Sequence, residues 1–493
     1  MTDHTQASVS DAEKKDALPL PEEKVAITHH KMMLQGRQLA YTATAGLMHI
    51  RNEDEKKSAA LFYTAYVMDT DGESSQRPLT FCFNGGPGSS SVWLHLGAFG
   101  PHRINMVDGI APPPNAAKLV ENECSLLHLT DLVFMDPVGT GFSRAGEDGK
   151  AEDFFGMEGD SDAMCRFIET YLNQQHRWGS PKFLAGESYG TTRAAAMACQ
   201  LGERGIALNG LILVSLAVNF QTFIFNLGND LPYLTFLPTY AAVAWRHGVL
   251  GDDVPEDLDT LLQEVRSWSQ EVYAPALLRG SSIDPETKAK VAAQLAAYTG
   301  MDPREIEHLD LRIADMRFAK SVLKTPGMTV GRMDGRYVGI DVEKDHRRTQ
   351  RDPSMDAPMG PYTGLINDHI RRTLAFDHES KYVVFNMKAN EQWKWARKGK
   401  LGYPNTSDDL RRAMIQNPHL KVLFANGLFD LATPFFGAEH TADHLGLDPD
   451  LRANIYLTYY QAGHMMYFNR AAHSALRDDI ADLFAQAVTT NTI

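Results

Sequence analysis

Missing from this chain is any run of about 18 apolar residues, the length a helix needs to cross a bilayer. Cysteine is scarce. Cys82, Cys124, Cys165 and Cys199 follow no metal-ligand spacing, so no metal site is expected, and buried free thiols fit a reducing compartment. Basic residues are outnumbered, 48 Lys and Arg against 62 Asp and Glu, for a net charge of −14. That balance argues against nucleic acid as a partner. The first residues, Met1 to Glu23, lack the apolar core of a signal peptide, and 1–24 reads as a disordered polar tail. No internal repeat or low-complexity tract is found. Together these absences predict a cytoplasmic protein with no membrane and no nucleic acid partner.

What is present is an ordinary globular composition, 43% hydrophobic and 22% charged over 493 residues. That length suits one large domain with an insertion, or two to three domains. β-rich segments at 25–30, 36–44, 47–51 and 61–68 predict antiparallel hairpins at a sheet edge. Short apolar strands follow at 79–83, 132–135, 182–185 and 211–218, with helical patterns at 157–174 and 191–201. Strands alternating with helices predict a mostly parallel sheet, with ligand groups at the strands' carboxyl ends. The alternation stops at Asn219. Residues 220–375 read as an inserted, mainly helical cap, with helices at 240–247, 258–272, 285–298 and 302–308. The sheet pattern resumes at 421–425 and 455–460, and a final helix is expected at 471–487. The core is thus expected in two parts, 25–219 and 376–493.

The chemistry centres on Gly186-Glu187-Ser188-Tyr189-Gly190. A strand runs into it and a helix leaves it, the context of a nucleophile elbow that lifts a serine out of the sheet. A serine hydroxyl needs a base, and the base needs an orienting group. In an α/β-hydrolase fold the three follow in the order Ser, Asp, His, each after a strand. Ser188, Asp430 and His464 meet both conditions, whereas His95, His102 and His128 follow no strand end that would aim them at Ser188. An oxyanion needs two N–H donors. One is expected from Tyr189 and the other from the glycine turn Gly85-Gly86, where no side chain blocks approach.

Four blocks resemble the serine carboxypeptidase family: Asn84-Gly85-Gly86-Pro87-Gly88-Ser89-Ser90-Ser91, Asp136-Pro137-Val138-Gly139-Thr140-Gly141-Phe142-Ser143, Gly186 to Gly190, and the pair Asp430 and His464-Met465. The resemblance implies an α/β-hydrolase fold and a serine-type carboxypeptidase without a cofactor. It assigns the triad to Ser188, Asp430 and His464, and the oxyanion donors to Gly86 and Tyr189. It also implies that Asn84 and Glu187 bind the free C-terminal carboxylate of a peptide substrate. Such a contact requires a proton between the two carboxyl groups, so peptides should be preferred at mildly acidic pH.

The chain departs from the family at several positions. Ala98 stands where a second glutamate is usual, Ser89 and Thr433 where cysteines are usual, and Met466-Tyr467 where Val-Pro is usual. Ala98 removes half of the implied carboxylate contact and keeps an esterase or acyltransferase open as the alternative. A catalytically inactive binding protein is the third reading. Arg332, Arg336 and Arg351 are candidates to meet a substrate carboxylate or, more simply, a solvated charged face. Tyr233, Phe236 and Tyr240 are candidates for a pocket wall or for the cap's own core. Residue preference at the scissile bond and oligomeric state stay open.

Overall fold

The structure is a computed structural model that describes residues 20–52, 54–70, 76–108, 110–113, 115–146, 150–341 and 352–488. Most of the expected tail (1–24), and Arg351, lie outside these residues.

Nine strands cross the molecule in one sheet: β1 (Val25–Leu34), β2 (Arg37–Arg51), β3 (Lys57–Met68), β4 (Leu79–Phe83), β5 (Asp131–Met135), β6 (Lys182–Glu187), β7 (Gly210–Val214), β8 (Lys421–Gly427) and β9 (Ile455–Tyr460). Their order is β1-β2-β3-β5-β4-β6-β7-β8-β9. The first three form an antiparallel meander, β3 meets β5 antiparallel, and all pairs from β5 onward are parallel. A short strand, Arg144–Ala145, also pairs with β3. Every residue of β4, β5, β6 and β7 is buried, as expected where helices cover both faces of a parallel sheet.

Alternate residues of these strands feed opposite cores. Phe81, Phe83 and Leu184 join Phe167 and Tyr171 of the helix Met157–Gln174 and Ala194 of the helix Tyr189–Glu203. Cys82, Phe183 and Ala185 face the other way, toward Leu476, Ile480 and Phe484 of the helix Arg470–Val488. From β4 the chain moves to β5 on one side, and from β6 to β7 on the other. The crevice between the carboxyl ends of β4 and β6 is therefore the switch point where an open α/β sheet takes its ligand.

Two expectations needed revision. Segments 36–44 and 47–51 are one strand, because Gly46 pairs with Val25 on one side and Tyr63 on the other and does not break the ladder. The strand expected to reach Val218 stops at Val214, where Ser215 turns to φ 55°.

The insertion lies between β7 and β8. Its helices Leu231–Arg246, Leu258–Trp268 and Pro285–Thr299 build a third core with Phe236, Tyr240, Leu261, Val265, Leu295 and Phe318. Asp257 and Asp284 cap the second and third of these by accepting the N–H groups of Thr260 and Thr287, both at 2.9 Å. Phe236 and Tyr240 thus belong to the cap's own core, and Tyr233 packs against it. Unlike these helices, Pro353–Asp368 buries Tyr362 and Ile366 in the sheet's core, so by packing the cap ends earlier than residue 375.

Candidate active site

Ser188 sits between the last residue of β6 and the first of the helix Tyr189–Glu203, at φ 59° and ψ −128°. A residue with a side chain adopts this region only when its surroundings hold it there. The Ser188 N–H donates to Val214 O at 2.9 Å, and the Thr191 N–H donates to Ser188 O at 2.8 Å. Within 182–190 Ser188 alone escapes burial. The turn after β4 lies directly against it, since a Cβ on Gly85 would come 2.5 Å from the Tyr189 nitrogen. Among the described residues no backbone carbonyl takes the N–H of Gly86 or of Tyr189. Both donors therefore remain free beside Ser188, and the start of the helix adds its positive end.

The loops after β8 and β9 bring Asp430 and His464 together. His464 Nδ1 is 2.7 Å from Asp430 Oδ2. Asp430 also accepts from the N–H groups of Ala432 and Thr433, at 2.7 and 3.0 Å, and from Thr433 Oγ1 at 2.7 Å. Ser215 Oγ donates to His464 O at 2.6 Å. Val214 and Ser215, neighbours at the end of β7, thus anchor Ser188 and His464 respectively. The cap closes the other side: the His464 N–H donates to Met333 O at 2.6 Å and the Gly463 N–H to Asp334 Oδ2 at 3.1 Å. Burial works against a charge on His464, but the Asp430 carboxylate beside it, helped by Glu187, outweighs burial and raises its pKa, with Arg332 opposing.

Glu187 is 2% exposed. Burial lifts its pKa to about 7, against the pull of His464, of Tyr467 and of Asn84, while Asp430 adds to the rise. Tyr467 Oη donates to Glu187 Oε2 at 2.7 Å. Asn84 Oδ1 accepts the Leu94 N–H at 3.0 Å, which fixes the orientation of its amide. Its Nδ2 is buried without a hydrogen-bond partner, near enough to Glu187 to lower that carboxyl's pKa. Beneath the turn, Arg193 donates to Asn84 O at 2.5 Å and to Asp160 Oδ2 at 2.7 Å, under the rings of Phe83 and Tyr189.

Asn84, Gly86, Glu187, Ser188, Tyr189, Asp430 and His464 therefore all stand at or just beyond the carboxyl ends of β4, β6, β8 and β9. Ala98 is fully buried in the core, with its carbonyl accepting from Asn122 and His473. The block from Asp136 to Ser143 braces the glycine turn: Asp136 Oδ1 accepts the Ser91 N–H and hydroxyl, both at 2.8 Å. Arg336 is held by Asp334 at 2.6 Å and Arg332 lies 3.5 Å from Asp315. Arg193, Asp160 and Tyr467 were not legible as site residues. An arginine within the alanine-rich helix, and a tyrosine one turn after the catalytic-type histidine, were the available signals. All four cysteines are free and buried. Among the described residues no group of three or more His, Cys, Asp or Glu could hold a metal, and no helix is long and apolar enough to cross a membrane.

The sequence pattern described as serine carboxypeptidase matches residues 35–474. Serine carboxypeptidase-like 45 of Arabidopsis thaliana is 30% identical over 209 residues, 40% of this chain and 39% of that protein. The match thus spans about two fifths of that relative's length. The pheromone-processing carboxypeptidase KEX1 of Saccharomyces cerevisiae is 39% identical over 104 residues, 20% of this chain and 13% of that protein. The crystal structure of a prohormone-processing KEX1 carboxypeptidase from the same organism superposes with a TM-score of 0.57 at 18% identity, over 90% of this chain and 91% of that one. That superposition shows the α/β-hydrolase fold.

Proposed function

The chain belongs to the serine carboxypeptidase family, and on that premise we propose that it is a serine-type carboxypeptidase cleaving peptides that carry a free C-terminal carboxylate. Ser188 Oγ attacks the scissile carbonyl while His464 Nε2 takes its proton. Asp430 holds the Nδ1–H and so keeps Nε2 free to act as base. The N–H groups of Gly86 and Tyr189 receive the oxyanion. His464 then protonates the leaving amine. Water, deprotonated by the same imidazole, attacks the acyl ester, releases the shortened peptide acid and restores Ser188.

One observation carries the carboxypeptidase reading. A buried carboxyl with a pKa near 7 adjoins the nucleophile and the Asn84 side chain, whose Nδ2 has no hydrogen-bond partner. At pH 6 Glu187 is mostly neutral, and with Asn84 Nδ2 it offers two donors to a substrate carboxylate. Nothing at the site favours an ester over a peptide. A reducing compartment, the cytoplasm, is our proposal for its setting, supported by four unpaired thiols; cell fractionation tests it. For the activity, an N-blocked dipeptide is compared with its C-terminal amide at pH 6. The free acid should show the higher kcat/KM, and Ser188→Ala should abolish turnover of both. Near-normal turnover by Ser188→Ala contradicts the mechanism.

A further inference from the structure

The turn that carries His464 also carries Tyr467, three residues on; from that one loop Tyr467 bonds Glu187 and His464 acts on it through its charge. Tyr467 is buried, and its ring lies against Phe468 at 5.3 Å between centroids. A Cβ on Gly97 would fall 2.6 Å from Tyr467 Cε2 and 2.7 Å from Tyr362 Oη, so the absent side chain at 97 is what lets this ring reach the elbow. The hydroxyl ends 2.7 Å from Glu187 Oε2. Asn84 is the other donor close enough to lower the Glu187 pKa, and among the described residues no hydrogen bond of comparable geometry reaches Oε1.

We infer that Tyr467 is a positioning residue for substrate recognition: by occupying Oε2 it directs the exchangeable proton of Glu187 onto Oε1, where it can be given to a peptide's C-terminal carboxylate. This rests on the reading of Glu187 as the carboxylate contact. The chemistry is that of a phenol beside an acid. Burial raises the Tyr467 pKa well above its ordinary value, so the phenol keeps its proton and always donates. Oε2 is therefore always an acceptor, and a proton on Glu187 has only Oε1 to occupy. The same hydrogen bond favours the ionised form of Glu187, which loses its donor role once the proton leaves. The groups facing Glu187 are His464 and Asp430 from the loops after β9 and β8, Tyr467, Tyr362 from the helix Pro353–Asp368, and Asn84 from the glycine turn. Of these, Tyr467 is the one whose removal takes away a donor to Oε2 without touching the triad.

The test is the ratio of kcat/KM for an N-blocked dipeptide to that for its amide, followed from pH 5 to pH 9. In the native chain the ratio should fall as pH rises through about 7. Tyr467→Phe keeps the ring and removes the donor, so Glu187 holds its proton longer and the midpoint should move up by about one pH unit, roughly a fivefold higher ratio at pH 8. Gly97→Ala, which pushes the ring away, should move the midpoint in the same direction. In a Glu187→Gln background Tyr467→Phe should produce no such shift. An unmoved midpoint in both single variants, or a shift that persists without Glu187, overturns the role of Tyr467 while leaving the carboxypeptidase reading intact. A native ratio that is flat in pH removes that reading itself, and the inference with it.

Discussion

Among the described residues Asp430 receives four hydrogen bonds, while Glu187, whose charge the same imidazole feels, receives one of comparable geometry, from Tyr467. Both side chains are buried. The loop after β8 surrounds its carboxylate with donors from Ala432, Thr433 and His464, so Asp430 is fully engaged before any substrate arrives. The elbow and the glycine turn leave Glu187 Oε1 and Asn84 Nδ2 without a hydrogen bond of that geometry. The same functional group is thus built into two tools. One holds a charge and fixes a tautomer, and the other waits for a ligand. An orienting carboxylate should affect every substrate alike, whereas a recognising one should affect only substrates that carry its target.

The sharpest way to break this comparison is to neutralise each carboxyl in turn. Asp430→Asn should lower kcat by about 10⁴ for the free acid and the amide alike, because His464 loses the partner that fixes its tautomer. Glu187→Gln should act chiefly on the free acid, lowering its advantage over the amide by about tenfold at pH 6 and removing its dependence on pH. Steady-state kinetics on the two substrates reads both, and equal losses from both variants would erase the distinction.

A second, structural effect should be confined to the Glu187 side. Arg193 is 1% exposed and links Asp160 to the carbonyl of Asn84. Arg193→Met leaves Asp160 buried without its partner, and should cost about 3–5 kcal/mol in urea denaturation. In the protein that still folds, the free-acid advantage should fall while turnover of the amide is less affected. A loss of stability below about 1 kcal/mol would mean the pair is not set by burial.

A third effect opposes the acidity that Glu187 needs. His95 and His369 both turn Nε2 to Tyr66 Oη, at 2.7 and 2.9 Å. Burial, reinforced by neighbouring histidines, holds His95 down near 3 and His369 well below its ordinary value. Both are neutral in the fold. In the unfolded chain they take up protons below about pH 6.5, so stability is full above that pH and declines as pH falls below it, by up to about 1.4 kcal/mol per pH unit for each. Urea midpoints at pH 7 and pH 5 should differ accordingly, and equal midpoints would contradict it. Free-acid cleavage is then confined to a window: Glu187 sets its upper edge and the buried histidines its lower one.

The triad was legible because each member follows a strand end in a fixed order, and a strand of apolar residues shows in sequence alone. The sheet and the helix Met157–Gln174 were legible for the same reason. The cap helix Leu231–Arg246 begins nine residues before its expected start; it carries Pro232 in its first turn and Pro238 inside it, where a proline usually breaks or kinks a helix. The partner of Glu187 was hidden more deeply. Tyr467 lies 280 residues away along the chain, and only the packing of its ring over Gly97 brings them together. Ala98 marked a missing partner, but nothing in sequence says that the gap is approached from the loop of the histidine.

The central claim is that Glu187, carrying a proton, reads the free carboxylate of the substrate. It is tested most directly by following the Glu187 carboxyl carbon by NMR through a pH titration, without ligand and with the free amino acid product, which carries the original C-terminal carboxylate, bound. Titration near pH 7 without ligand, moving upward by one unit or more when the product carboxylate binds, is the predicted result. A Glu187 that titrates near pH 4, or one whose titration the product leaves unchanged, contradicts it.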